Sequence, residues 1–367
     1  MSRQTVQLLK GIGIMLIIAH NYTHWLPECV DENEYTFSVE RINKLVLYLE
    51  QGGPHVLLNI MSHFGHYGVA IFLFVSGYGL TKKYERPGEE RPKFFAFIFR
   101  HAVKLWKLMI PAVLIFLAIE MYRGTWNRPL DRLLPLLGFY SNLQVKRDLI
   151  LGPWWWFGLM MQLYVVWRIF ICGRGKKMLY AVIALCLIAQ IAVTWIERGN
   201  LVSTDTLVCY LHYNFPCSML AFGLGVAHSR YDLEWLRGRW SPFVGTVILI
   251  VGAFNAGIWC ISSVGILMIV IALFGNESKP SPVVDNTYSI SWRHVFSFLG
   301  TISPWLFALH PIVRAYTIKI AMRDGIYHVY LSLLIYFGAT ILSAWLFSIA
   351  TNKKSLSPHN KKHPFQL

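Results

Sequence analysis

The stretch Lys10-Gly11-Ile12-Gly13-Ile14-Met15-Leu16-Ile17-Ile18-Ala19-His20-Asn21-Tyr22-Thr23-His24-Trp25 carries a lysine and two histidines within one apolar segment of membrane-spanning length. Polar side chains are expensive in lipid, so such residues are functional hypotheses whose partners lie on neighbouring helices. At about 100° per residue, Lys10, His20, Asn21 and His24 share an arc of about 100°, which Arg3 and Gln7 extend toward the N-terminus. His20 is the sharpest candidate: a neutral imidazole held there suits a general base, and an interhelical hydrogen bond is the competing reading.

A second constellation is Lys93-Phe94-Phe95-Ala96-Phe97-Ile98-Phe99-Arg100-His101-Ala102-Val103-Lys104-Leu105-Trp106-Lys107. On a helix, Lys93, Arg100, Lys104 and Lys107 share one face within about 60°, with phenylalanines covering the rest. Such helices often grip headgroups, but Lys104 and Lys107 continue into an apolar segment and need an anion or a wet cavity, which a phosphate-bearing ligand would satisfy. A third is His63-x-x-His66, which with His20 and His24 raises a metal site. No acidic residue adjoins these pairs in sequence, so no metal is expected. The run Trp154-Trp155-Trp156 opens a further segment, either as an interfacial belt or as a stacking platform for a sugar acceptor.

The elements that must position these groups follow from composition. The chain has 367 residues, 55% of them hydrophobic and only 14% charged, with mean hydropathy +0.45. That leaves too little polar surface for a soluble globule and predicts an all-α polytopic membrane helix bundle. Ten spans are expected, near 7–26, 64–81, 104–121, 154–171, 178–196, 206–227, 241–255, 257–274, 295–318 and 327–349. They form one transmembrane domain, 1–350, followed by a basic tail, 351–367. The excess of 34 Lys and Arg over 19 Asp and Glu would suggest nucleic acid in a soluble protein. Here the cations cluster in alternate connections (82–100, 168–177, 230–239, Lys279 with Arg293, 353–362), whereas the loop at 28–50 is acidic. The positive-inside rule therefore puts both termini in the cytoplasm and the acidic loop outside, with membrane lipid rather than nucleic acid as the partner. The N-terminus lacks a cleavage pattern, and the six cysteines show no paired spacing.

Taken in order, several motifs resemble the membrane acyltransferase-3 family over nearly the whole chain. They are Leu9-Lys10-Gly11-Ile12 followed by His20, Gly68-Val69-Ala70-Ile71-Phe72-Leu73-Phe74-Val75-Ser76-Gly77-Tyr78, the basic Arg100-x-x-x-Lys104 ending at Pro111, Trp156-Phe157 with Tyr164, Phe222-Gly223-Leu224-Gly225, and Leu306-Phe307-Ala308-Leu309-His310-Pro311. The resemblance implies an enzyme that moves an acyl group, acetyl first among them, from cytoplasmic acyl-CoA to a hydroxyl of an extracytoplasmic glycan or lipid-linked sugar, in the plasma (inner) membrane. It implies His20 as the essential histidine of the first helix and Lys10 as the basic residue preceding it. Arg100, His101 and Lys104 then occupy the third-helix basic cluster. With Lys107 they would hold the donor's phosphates, while Asn21 or His24 would orient His20 or stabilise the oxyanion. The chain departs from the family pattern at Gln7, at the one-residue-shorter Lys10–His20 interval, at two non-arginine positions of the cluster, and at Gln162 in place of a glutamate. The pattern is compatible with a homo-oligomer. The rival functions are a proton-coupled transporter or flippase for an anionic or glycolipid substrate, and a scaffold whose polar residues serve packing.

Overall fold

The computed structural model describes residues 1–86, 88, 90–144, 148–199, 209–275, 291–323 and 325–353. Lys279 and all but the first residues of the basic tail lie outside them. Among the described residues the regular structure is entirely helical: α1 (Arg3–Thr23), α2 (Val39–Gln51), α3 (Val56–Phe64), α4 (Gly68–Tyr84), α5 (Phe94–Tyr122), α6 (Trp155–Val166), α7 (Lys176–Arg198), α8 (Phe215–Tyr231), α9 (Ser241–Phe254), α10 (Ser262–Phe274), α11 (Trp292–Ala321) and α12 (Ile326–Lys353).

Among the described residues five segments are long and apolar enough to cross a membrane: Val56–Tyr84, Phe94–Tyr122, Lys176–Arg198, Trp292–Ala321 and Ile326–Thr351. A helix also stands near each of the other five expected spans, but there it is shorter or more polar. α9 and α10 have 14 and 13 residues, and α6 closes in a π-helical turn at Trp167–Ile171. α1 contains Gln7, Lys10, His20 and Asn21. The long connection after α1 holds α2, an amphipathic helix with only Leu45 buried.

The helices alternate in direction. The N-terminal amine of Met1 bonds Tyr78 Oη near the end of α4 (2.9 Å), and Arg314 near the end of α11 reaches Asn21 near the end of α1. This gathers Lys83, Arg100, Arg168, Arg230 and Arg293 at the end of the bundle where α1 begins, and Glu28, Asp31, Glu32 and Glu34 where α1 finishes. At the basic end Glu85 pairs bidentately with Arg230 and accepts from the Gly173 amide (3.1 Å). Arg230 also donates to the Ile171 carbonyl (2.8 Å). One carboxylate thus ties α4 to α8 and to the turn after α6.

α1 is the centre of the bundle, buried along most of its length, and small residues let its neighbours reach its backbone. A Cβ added to Gly11 would overlap the Phe296 carbonyl, and one added to Gly300 the Gln7 carbonyl, so α1 and α11 touch backbone to backbone. Gly13 and Gly68 do the same between α1 and α4, and Gly77 and Gly225 between α4 and α8. α11 contains Pro304 and Pro311, each of which deprives the carbonyl four residues earlier of its partner. Ser303 Oγ donates to the Gly300 carbonyl freed by Pro304 (2.8 Å), so that carbonyl is not orphaned.

Gly300→Ala is expected to cost about 1–3 kcal/mol through overpacking. It should lower the Tm of the detergent-solubilised protein, whereas Gly79→Ala, at a position with nothing within 4 Å, should not. Equal Tm values for the two variants would contradict backbone contact between α1 and α11.

Candidate functional site

His20 lies in the last turn of α1 and is 5% exposed. It can sit there because Gly65 has no side chain: a Cβ at that position would come within 2.6 Å of the His20 Cβ. The His20 Nδ1 is 2.7 Å from the Ser62 carbonyl in the last turn of α3. A carbonyl only accepts, so Nδ1 carries the proton and Nε2 keeps its lone pair, the tautomer a general base needs. His24 and His66 are held in the same way, with Nδ1 on the carbonyls of His20 (2.8 Å) and His63 (2.7 Å). The His24 ring stacks on His20 at 4.6 Å, and that of His66 meets His20 edge-on at 5.9 Å.

Ser62 is itself anchored from outside the helices. Its Oγ donates to the Val30 carbonyl. Asn59, one turn earlier on α3, accepts from the Val30 amide (2.9 Å) and donates to the Glu28 carbonyl (3.0 Å). The neighbouring Glu32, 6% exposed, stands 3.2 Å from His63 Nδ1 and 3.3 Å from Arg41 Nη1. Burial pushes its carboxyl up, but the contact with His63 and the nearby His66 and Arg41 outweigh burial and hold it down at about 2. Glu34, two residues on, is pushed up to about 7 by burial. An acidic residue therefore does adjoin His63 in space, although none does in sequence. Even so, no group of three His, Cys, Asp or Glu among the described residues is arranged to hold a metal ion.

Asn21 is not bonded to His20. Its Nδ2 donates to the Ile17 carbonyl (3.0 Å), and its backbone and side-chain oxygens accept from Arg314 Nη1 at 3.0 and 3.3 Å. Arg314 is 8% exposed on α11, with its guanidinium 5.1 Å from the centre of the Trp25 ring. One turn earlier His310 is fully buried. Its Nδ1 donates to the Leu306 carbonyl (3.1 Å), while its Nε2 has no hydrogen-bond partner.

At the other end of the bundle Lys10 is half-buried on α1, and Arg100, Lys104 and Lys107 are exposed along one face of α5. Lys83, from the last turn of α4, comes into direct range of Lys104, with Arg100 and Lys107 close by. No carboxylate pairs with these four cations among the described residues. His101 points the other way from its neighbours. It is 5% exposed, its ring packs against Phe97 and Tyr164 at 4.5 and 4.1 Å, and both ring nitrogens lack hydrogen-bond partners. His101 thus belongs to the α5–α6 interface, and the open cationic face consists of Lys83, Arg100, Lys104 and Lys107.

The three tryptophans are buried. Trp154 is 0% exposed and donates Nε1–H to the Ala308 carbonyl of α11 (3.1 Å). Trp156 packs edge-on to Phe72 (6.3 Å). Trp155 meets Tyr35 at 5.5 Å and, with His66, Glu34 and His212, lines a cavity of about 70 Å³. Gln162 belongs to an amide network: its Nε2 donates to Asn214 Oδ1 (2.6 Å), its Oε1 accepts from the Phe215 amide (3.0 Å), and Asn142 donates to the same Asn214 oxygen (3.0 Å). This fixes the start of α8 against α6.

The structure therefore brings His20, His24 and Asn21 together at one end and Arg100, Lys104 and Lys107 toward the other, and along α1 itself Lys10 and His20 are separated by roughly the 15 Å rise of ten helical residues. Sequence reasoning missed Ser62, Glu32, Lys83 and Arg314. Arg314 did carry a signal, as a charge within an apolar segment, and so did Lys83, which lies two residues ahead of Glu85 at the end of α4. Ser62 acts through its backbone and carries none.

Gly65→Ala, whose Cβ would come within 2.6 Å of both the His20 Cβ and the Leu16 carbonyl, is expected to displace His20, lowering activity at least tenfold and also lowering the Tm by overpacking, as measured by turnover and thermal melting of the same preparation. Glu32→Gln is expected to cost about 3 kcal/mol at pH 7, because it strips a buried ion pair of its anion. The carboxyl is held below its ordinary 4.5, so its stabilisation is complete above that pH and is lost as pH falls through about 2. Melting curves across that window should converge for the wild type and Glu32→Gln.

No curated protein and no solved structure matches the chain. A family model described as an acyltransferase domain matches residues 3–350, nearly every element that builds both ends of this site, and the chain belongs to that acyltransferase family, as a membrane acyltransferase.

Proposed function

We propose that the protein transfers an acyl group, acetyl in the simplest case, from acyl-CoA to a hydroxyl of a glycan or lipid-linked sugar on the far side of the plasma (inner) membrane. Ten helices cross the bilayer in this reading, with both termini in the cytoplasm. The concentration of Lys and Arg at the α1 start and of acidic residues at its finish supports that orientation. The donor's phosphates bind the face formed by the exposed Arg100, Lys104 and Lys107 and the half-buried Lys83, with Lys10 at the start of the path inward. Clustered cations suit a group bearing several phosphate charges, and the pantetheine arm spans the distance to His20.

The observation that carries the reading is the 2.7 Å contact from His20 Nδ1 to the Ser62 carbonyl. It leaves Nε2 free to take the proton of the acceptor hydroxyl as that oxygen attacks the thioester carbon. The tetrahedral intermediate collapses with cleavage of the C–S bond, and the imidazolium returns its proton to the leaving thiolate. General-base catalysis of this kind contributes about 10²–10⁴ in rate.

In nanodiscs, the wild type is expected to bind acetyl-CoA and hydrolyse it slowly. Arg100→Ala should weaken binding about tenfold or more, while His20→Ala should keep binding and lose turnover by about 10²–10⁴. Absence of acyl-CoA binding by the wild type would overturn the acyl-transfer reading in favour of transport.

A further inference from the structure

Arg314 is a buried charge without a counter-charge. Its described partners are the two oxygens of Asn21 and the ring of Trp25, and no carboxylate faces it from α1, α11 or α12. The groups around it are His20, His24, His310 and Tyr336. A guanidinium stays protonated in proteins, and removing it from water without an anion is strongly unfavourable. Only Nη1 is engaged in a hydrogen bond, which leaves Nη2 and Nε as a fork of the geometry that holds a carboxylate or phosphate bidentately. Trp25, 56% exposed beside this fork, offers an aromatic face of the kind on which sugar rings stack. The acidic residues of the adjoining segment do not compete for it: Glu28 pairs with His55 (2.8 Å), Asp31 with Lys44 (3.9 Å) and Glu32 with Arg41 (3.3 Å), and Glu34 lines the cavity beside Trp155 and His66.

We infer that Arg314 and Trp25 form an anchor for the acceptor, with Trp25 stacking a sugar ring and Arg314 binding a negative group on that sugar, a carboxylate or a phosphate. This rests on the acyl-transfer reading and narrows it to acidic acceptors. Asn21, by holding Nη1, positions the guanidinium one residue from His20, so that a hydroxyl of the anchored sugar faces the imidazole.

The test uses the full chain in phosphatidylcholine nanodiscs without acyl-CoA, and compares binding of methyl α-glucuronide, glucose 1-phosphate and neutral methyl α-glucoside by saturation-transfer NMR. The wild type is expected to prefer at least one of the two anionic sugars about tenfold over the glucoside, and which one it prefers identifies the anion. Arg314→Gln should abolish the preference, Arg314→Lys should reduce it to about threefold, and Trp25→Ala, at an exposed site that does not burden folding, should weaken all three sugars. Equal binding of the three sugars by the wild type, or a preference that survives Arg314→Gln, would overturn the inference. Donor binding is measured separately, so failure of the acyl-transfer reading would show as loss of acetyl-CoA binding alone.

Discussion

The close approach of α1 to α3, α4 and α11 is the constraint on which the rest of the structure depends. Gly65, Gly68 and Gly13 bring α1 near enough to α3 and α4 for an imidazole on one helix to reach a backbone carbonyl on the other. Gly11 and Gly300 do the same for α11, and thereby set Arg314 against Asn21. In lipid there is no hydrophobic force to press helices together, so packing at small residues and interhelical hydrogen bonds must supply the association. The glycines are thus the structural counterpart of the polar face on α1: without them its buried groups would have no partners within reach.

The two ends of the bundle are built by different physics. At the basic end one carboxylate, Glu85, is fully engaged by Arg230 and the Gly173 amide, and the remaining cations on α4 and α5 face outward without anions among the described residues. At the other end the charges are closely matched, with Glu32 held between His63 and Arg41, except at Arg314. A cationic end open to a polyanion and a histidine end of fixed tautomer suit a reaction whose donor and acceptor arrive from opposite sides.

Much of this was legible before any coordinates. The 100° period of α1 puts Lys10, His20, Asn21 and His24 on one side, and the alternation of basic and acidic connections fixes which helix ends lie together. The all-helical architecture follows from composition. Among the described residues five helices rather than ten are long and apolar enough to cross a membrane, because α1 is polar and α6, α8, α9 and α10 are short, and nothing in a hydropathy trace shows that neighbours cover such elements. His101 sits among cations in sequence yet turns inward, because at one residue from Arg100 it lies on another face of α5. Trp154 reads as interfacial by type but is drawn inside by the Ala308 carbonyl. Ser62 was out of reach of sequence reading, since every residue has a carbonyl and only the fold decides which one meets an imidazole.

The position of α11 in the chain has a consequence for how the protein is made. α1 emerges long before α11, which begins at Trp292 and supplies the contacts of Gln7, Gly11 and Asn21. During most of synthesis Gln7 and Asn21 therefore lack these final surroundings, and a segment that also carries Lys10 and His20 is poorly retained by lipid alone. Biogenesis must either hold α1 beside the insertion machinery until α11 emerges or let it enter the bilayer late, as a partner of α4 and α11 rather than as an independent span.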